Sequence, residues 1–157
     1  RRDGAESFAQ EGTFFSSAGG SPVSCVVGSA VLDVWRDERL QDNAREMGRY
    51  FRSRSDDLAA QLSRGDLAAA ATHGLHVGAV HGLGLYQGVE LVRDPETREP
   101  ATDETLALCE RGLDLGVILQ PTGENFNILK VKPPLCLSRD SVDHVIAALV
   151  HALDSGW

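Results

Sequence analysis

Positive charge is in short supply in this sequence. Its 157 residues hold 15 lysines and arginines against 23 aspartates and glutamates, a formal net charge of −8. A nucleic-acid partner calls for a clustered positive stripe that displaces counterions from the phosphate backbone, and the charge balance argues against that class. Arginines do gather between Arg36 and Arg64, but aspartates and glutamates are interleaved among them, as on a solvated helix face. No apolar run approaches the roughly 20 residues of a membrane-spanning helix, and Arg1 to Gln10 has no apolar centre of the signal-peptide kind. No membrane partner is expected. Cysteine is sparse as well: Cys25, Cys109 and Cys136 are odd in number and widely spaced, which argues against a disulfide framework and fits a reducing cytoplasm. His73, His76 and His81 lie near one another but without a second ligand cluster or helical ligand spacing, so no metal site is expected. No serine stands in a Gly-x-Ser-x-Gly elbow. The scarcest charged residue is lysine, present only as Lys130 and Lys132.

What remains is a chain with 42% apolar residues, long enough to bury roughly 70% of its unfolded surface. Residues 1 to 12 read as a frayed helix end entering a loop. Ser21-Pro22 suits an N-cap followed by the first helical position, and Val23, Val26, Val27, Ala30, Val31 and Val34 recur at helical spacing, which predicts a buried helix to about Trp35. A second helix is expected from Glu38 to Leu62, with Leu40, Ala44, Met47, Phe51, Leu58 and Leu62 inward, and a short one over Leu67 to Ala71. From Val77 to Val92 the period changes to that of two strands joined or bulged at glycines. A helix capped by Thr102, with Leu106, Cys109 and Leu113 inward, then leads to strands over Val117 to Gln120 and Asn127 to Lys132. A last helix, Ser141 to Leu153, carries Val142, Val145, Ile146, Leu149, Val150 and Leu153 on one face. The sum is an α+β fold, a two-layer arrangement in which a small, mostly antiparallel sheet is covered by helices.

Two stretches have chemistry to offer, each beside a plainer reading. Ser16-Ser17-Ala18-Gly19-Gly20-Ser21 combines hydroxyls, unobstructed N–H groups and a helix start, which together favour a phosphate; an ordinary loop and cap would look the same. Lys130, alternating along its strand before Pro133-Pro134, either presents an ammonium into a cleft or faces solvent. Gly82, Gly84 and Gly88 imitate a dinucleotide fingerprint, but the last glycine comes one position late and a strand follows, so that reading is set aside.

In order along the chain, Phe14-Phe15-Ser16-Ser17-Ala18-Gly19-Gly20-Ser21-Pro22-Val23-Ser24-Cys25, then Val77 to Leu91 with its Val80-His81-Gly82-Leu83-Gly84-Leu85-Tyr86, then Asn127-Ile128-Leu129-Lys130-Val131-Lys132-Pro133-Pro134-Leu135, resemble the class III aminotransferases. The wording is most similar to the branch of ethanolamine-phosphate and phosphohydroxylysine phospho-lyases. The resemblance implies a homodimeric enzyme of fold type I, dependent on pyridoxal 5′-phosphate (PLP) and acting on a small-molecule amine. Residues 1 to 36 would be the end of the large domain with its connecting helix, and residues 37 to 157 the C-terminal small domain. It further implies that Ser16 and Ser17 contact the PLP phosphate of the partner subunit, Ser17 standing where the family has threonine. Ala18 replaces the usual aromatic, and Ser21 the usual asparagine. Lys130 stands where members acting on α-carboxylates carry arginine, and is the implied substrate-binding residue. A lysine is a point charge that suits a phosphate at least as well as a carboxylate. The Schiff-base lysine, and with it every catalytic residue, is expected to lie outside these residues, leaving this chain alone inactive. The alternative is a non-catalytic truncated domain that acts only in folding or dimerisation. Residues 1 to 36 would pack on absent neighbours, which predicts exposed apolar surface there.

Overall fold

The computed structural model describes residues 6, 15–17 and 19–157. The helix end expected over residues 1 to 12 lies outside the described residues apart from Glu6, and so do Phe14 and Ala18. The chain divides into two compact units, Arg1–Arg39 and Leu40–Trp157.

In the first unit, helix α1 spans Pro22–Asp37 and starts as its sequence prescribes: Ser21 is the N-cap, its hydroxyl accepts from the Ser24 N–H, and Pro22 fills the first turn, where no N–H is needed. The apolar stripe is present, but the helix buries none of its residues. Val23, Val26, Val27, Val31, Leu32, Val34 and Trp35 are all exposed. The expectation of a buried helix is therefore corrected, whereas exposed apolar surface in this segment is what the structure shows.

The second unit runs α2 (Leu40–Arg64), α3 (Ala68–Thr72), β1 (His76–Leu83), β2 (Tyr86–Val92), α4 (Thr102–Asp114), β3 (Gln120–Thr122), β4 (Ile128–Val131) and α5 (Arg139–Ser155). The four strands form one antiparallel sheet in the order β1-β2-β4-β3. Alternation sorts each strand: Val89 and Leu91 of β2, with Leu129 and Val131 of β4, join Phe51, Leu58 and Leu62 of α2, Leu108 of α4, and Val142, Ile146, Leu149 and Leu153 of α5 in one core. Ser138 caps α5 by accepting from the Ser141 N–H, which starts that helix two residues before the expected Ser141. Strand β1 carries a bulge between Val77 and Ala79, at Gly78, whose carbonyl accepts from Arg98.

Two glycines let α2 lie on the β1–β2 turn: a Cβ on Gly48 would run into the backbone of Gly84. Gln87 locks the contact, its Nε2 donating to the carbonyls of Gly48 at 2.7 Å and Gly84 at 2.6 Å. Farther along, Arg93 reaches the carboxylate of Glu104 with two nitrogens, at 2.8 Å and 3.0 Å, and also meets Glu99 and Asp103. Burial pushes the Glu104 carboxyl up, but the Arg93 fork outweighs it and holds the group below the usual glutamate range.

Helix α4 departs from expectation in phase. Its buried residues are Glu104, Thr105, Leu108, Cys109 and Gly112, while Leu106 and Leu113 are 43% and 53% exposed. The close approach of Gly112 to the Val117 carbonyl, 2.9 Å from where a Cβ would sit, fixes that phase. Thr102 is not the cap either; Ala101 is, and the Thr102 hydroxyl donates to the Asn125 carbonyl instead. The strand expected over Val117 to Gln120 is replaced by the three-residue β3, with Pro121 and Thr122 in the ladder rather than in a loop.

Candidate functional site

Lys130 sits in the middle of β4, paired with Gly88 of β2 on one side and Gln120 of β3 on the other. Its neighbours Leu129 and Val131 point into the core, so Lys130 belongs to the opposite face of the sheet, where it is half-buried. The same rung extends to His81, the β1 partner of Gly88. His81, Tyr86, Gly88, Thr122, Ile128 and Lys130 line a concavity of about 280 Å³. Its floor is Gly88, where an added Cβ would lie 2.7 Å from Ile128 Cγ2. A second hollow of about 350 Å³, mostly apolar in its lining, touches Lys130 and Lys132 together with Val117, Leu119, Val131 and Val142. Lys130 is half-buried and lines both hollows. Lys132 is exposed, with its Nζ 5.6 Å from the centre of the Tyr86 ring.

A charged cluster adjoins the rung. His81 Nε2 is 2.8 Å from Glu90 Oε2, and Arg98 reaches the same carboxylate oxygen at 2.9 Å. Burial by itself would raise the Glu90 carboxyl, but hydrogen bonds from His81 and Arg98 outweigh it and hold Glu90 below the ordinary range, hence ionised. Sequence reasoning weighed His81 only as a metal ligand and missed this cluster. The signal available was the spacing of His81 and Glu90 across a two-glycine turn, which puts them near each other once the strands pair. Among the described residues, no group of His, Cys, Asp and Glu has metal-holding geometry. Gly82, Gly84 and Gly88 belong to the β1–β2 hairpin, with no helix following, so they form no dinucleotide loop.

Ser16 and Ser17 lie in the exposed loop before α1, in the first unit, whereas Lys130 belongs to the second. The Gly19 N–H donates to the Ser16 hydroxyl at 3.1 Å, leaving the Ser16 proton free to be donated outward. Ser17 makes no hydrogen bond among the described residues. Donors at the start of α1 are mostly spent: Pro22 has none, the Ser24 N–H goes to Ser21 Oγ and the Cys25 N–H to the Ser21 carbonyl. A phosphate would thus be held chiefly by the loop hydroxyls and Gly20, which has open space around it at φ +77°. These residues fit a phosphate-bearing cofactor.

The Aminotransferase class-III family model matches residues 5–153, and the chain belongs to that family, whose members depend on PLP. It is 34% identical to alanine–glyoxylate aminotransferase 2 homolog 2, mitochondrial, of Arabidopsis thaliana, over 90% of this chain and 27% of that protein. It is 31% identical to ethanolamine-phosphate phospho-lyase homolog 1 of Caenorhabditis elegans, over 98% of this chain and 30% of that protein. Among solved structures, a phospholyase from Arthrobacter in complex with phosphoethanolamine superposes with a TM-score of 0.78 at 30% identity, covering 96% of this chain and 33% of the other. The chain spans about a third or less of the length of these relatives. The small antiparallel sheet with its helices agrees with the fold type I expectation. Among the described residues no helix is long and apolar enough to cross a membrane.

Proposed function

We propose that this chain is the C-terminal portion of a PLP-dependent class III enzyme that acts on an amine carrying an anionic group, either by transamination or by eliminating phosphate from a phosphorylated amine. The observation that carries this reading is Lys130: a half-buried lysine on the face of the sheet away from the core, lining a concavity of about 280 Å³. Lysine offers a compact charge with three donors, suited to a phosphate's radial oxygens, where arginine would offer the planar fork that matches a carboxylate. PLP, when bound, would supply the electron-sink chemistry for the reacting amine. Lys130 holds the anionic end of the substrate and so fixes its orientation. Ser16 and Ser17 donate to the cofactor phosphate of the partner subunit in a homodimer. Residues 1 to 36 are the end of the large domain and residues 37 to 157 the small domain of an enzyme of the reducing cytoplasm. Neither Lys130 nor Lys132 is the Schiff-base residue, so these 157 residues alone turn nothing over.

The test is kinetic. In the enzyme that contains this chain, Lys130→Met raises KM for phosphoethanolamine by about 10- to 100-fold, the worth of a charge-assisted hydrogen bond. Equal catalytic efficiency of the unaltered enzyme on plain α-amino acids and on phosphorylated amines would contradict the substrate class. A second reading, a non-catalytic folding or dimerisation module, is favoured by the self-contained core of Leu40–Trp157.

A further inference from the structure

Arginines in this chain are as a rule paired. Arg36, Arg54, Arg64, Arg93, Arg98 and Arg111 each meet a carboxylate, and Arg139 lies over the Tyr50 ring. Arg49 and Arg52 of α2 meet none among the described residues, in a chain that has 23 aspartates and glutamates. Both line a hollow of about 960 Å³ between α2 and the β1–β2 turn. Lys132 joins the lining from beyond β4, with its Nζ over the Tyr86 ring. Arg45 lines it too, tied to Asp42 at 2.7 Å. Among the described residues, no acidic side chain lines the hollow. We propose that this hollow is a site for a di- or triphosphate group, free or carried on a larger molecule, gripped by Arg49, Arg52 and Lys132.

Small residues of α2 open the hollow and cations flank it. Ala44 and Gly48 stand one turn apart, and Gly48 lets the helix approach Gly84 so closely that a Cβ would strike its backbone. Arg45, Arg49 and Arg52 follow at spacings of four and three, on the same side of the helix. Like charges at these spacings repel and weaken a helix. No acid in the lining relieves Arg49 and Arg52, whereas a bound polyanion does. A guanidinium presents parallel N–H groups to a pair of phosphate oxygens. Arg49 and Arg52 lie about 4.5 Å apart along the helix axis, and two linked phosphates offer each fork its own pair of oxygens. One wall also holds an acceptor with no donor. Gln87, 5% exposed, commits both amide protons to the carbonyls of Gly48 and Gly84, and its Oε1 has no partner among the described residues. A ligand hydroxyl, or a water drawn in with the ligand, supplies that donor. Lys130 is not in the lining, so the site does not depend on the reading of Lys130 as the anchor of the substrate.

Calorimetric titration of the full chain with inorganic pyrophosphate tests the site. A Kd of about 0.1–1 mM is expected, the worth of two or three charge-assisted hydrogen bonds. The pair Arg49→Gln and Arg52→Gln should weaken binding by at least about 10-fold. Both arginines are exposed, so the circular dichroism of the double variant should match that of the unaltered chain. Arg111→Gln, which removes a positive charge elsewhere, and Lys130→Met should each change the affinity by less than about 2-fold. The proposal is overturned if the unaltered chain does not bind pyrophosphate, or if the double variant binds it as before. An equal loss in Arg111→Gln, the mark of general charge attraction, overturns it as well, and so does loss in Lys130→Met, which would move the ion to the Lys130 face. ADP separates the two sources of the group, and either result supports the site. Equal affinity for ADP and pyrophosphate means that phosphates alone are read; ADP tighter by more than about 5-fold means that a carried group is the better ligand.

Discussion

The two units of this chain handle apolar residues in opposite ways. In α1 the valines at positions 23, 26, 27 and 31 recur at helical spacing and are all left exposed, while in α5 an equally regular set, Val142, Ile146, Leu149 and Leu153, is buried to the last residue. Helical periodicity is the same in both. What differs is the opposing surface: α5 finds it in α2, α3 and α4 and in the core they share. An amphipathic pattern thus specifies that a face is to be covered and is silent about what covers it.

The contrast is open to a direct stability measurement. Phe51 is 2% exposed and sits in the core of the second unit. Phe51→Ala should lower unfolding stability by about 3–5 kcal/mol, read from urea denaturation followed by circular dichroism. A loss under about 1 kcal/mol would mean that the second unit is not packed as described.

Acid should come next in size, through two carboxylates of the second unit. Glu104 and Glu90 both have folded values held below the ordinary glutamate value of 4.5. A depressed folded value means that the unfolded chain binds protons first, so their contribution is fully present above pH 4.5 and is lost as pH falls through the lower folded values. The urea midpoint should therefore drop between pH 7 and pH 3. In Arg93→Gln the midpoint should already be lower at pH 7 and its acid dependence shallower. An unchanged acid dependence in that variant would show that the Arg93 fork contributes nothing to it.

The smallest effect belongs to α1. Val31→Ala, in an exposed position, should change stability by less than about 0.5 kcal/mol. The pair Val27→Glu and Val31→Glu should reduce binding of a hydrophobic dye without moving the urea midpoint. If either substitution costs as much as Phe51→Ala, the two units are not as different as their burial indicates.

Much of this architecture was legible from residue order, for reasons that are local. Ser21-Pro22 and Ser138 announce helix starts through hydrogen bonds made within three residues. The glycines at 82 and 84 announce a hairpin because the turn there needs positive φ. Misreadings arose where a distant contact decides. The rotation of α4 follows from Gly112 meeting Val117 rather than from its leucines, and β3 is short because only Gln120 to Thr122 find partners on β4. Lys130 stood out by its rarity and its place before Pro133. The cluster of His81, Glu90 and Arg98 did not, because it exists only after the strands have paired in one particular register.

That register hangs on a single residue. Val77 faces the core opposite Leu91, and strict alternation from it would send position 81 to the core as well. The additional residue at Gly78 resets the count, so that Val80 pairs with Val89 on the core side and His81 falls on the side of Lys130. No side chain fits at the reset point, since a Cβ on Gly78 would lie 2.9 Å from Val92 Cγ1. The strand therefore works as a parity switch. Straightening the bulge with Gly78 kept in place would exchange an imidazole for a valine on the Lys130 face, whereas deleting Gly78 would take out the extra residue and leave His81 on the face it already occupies.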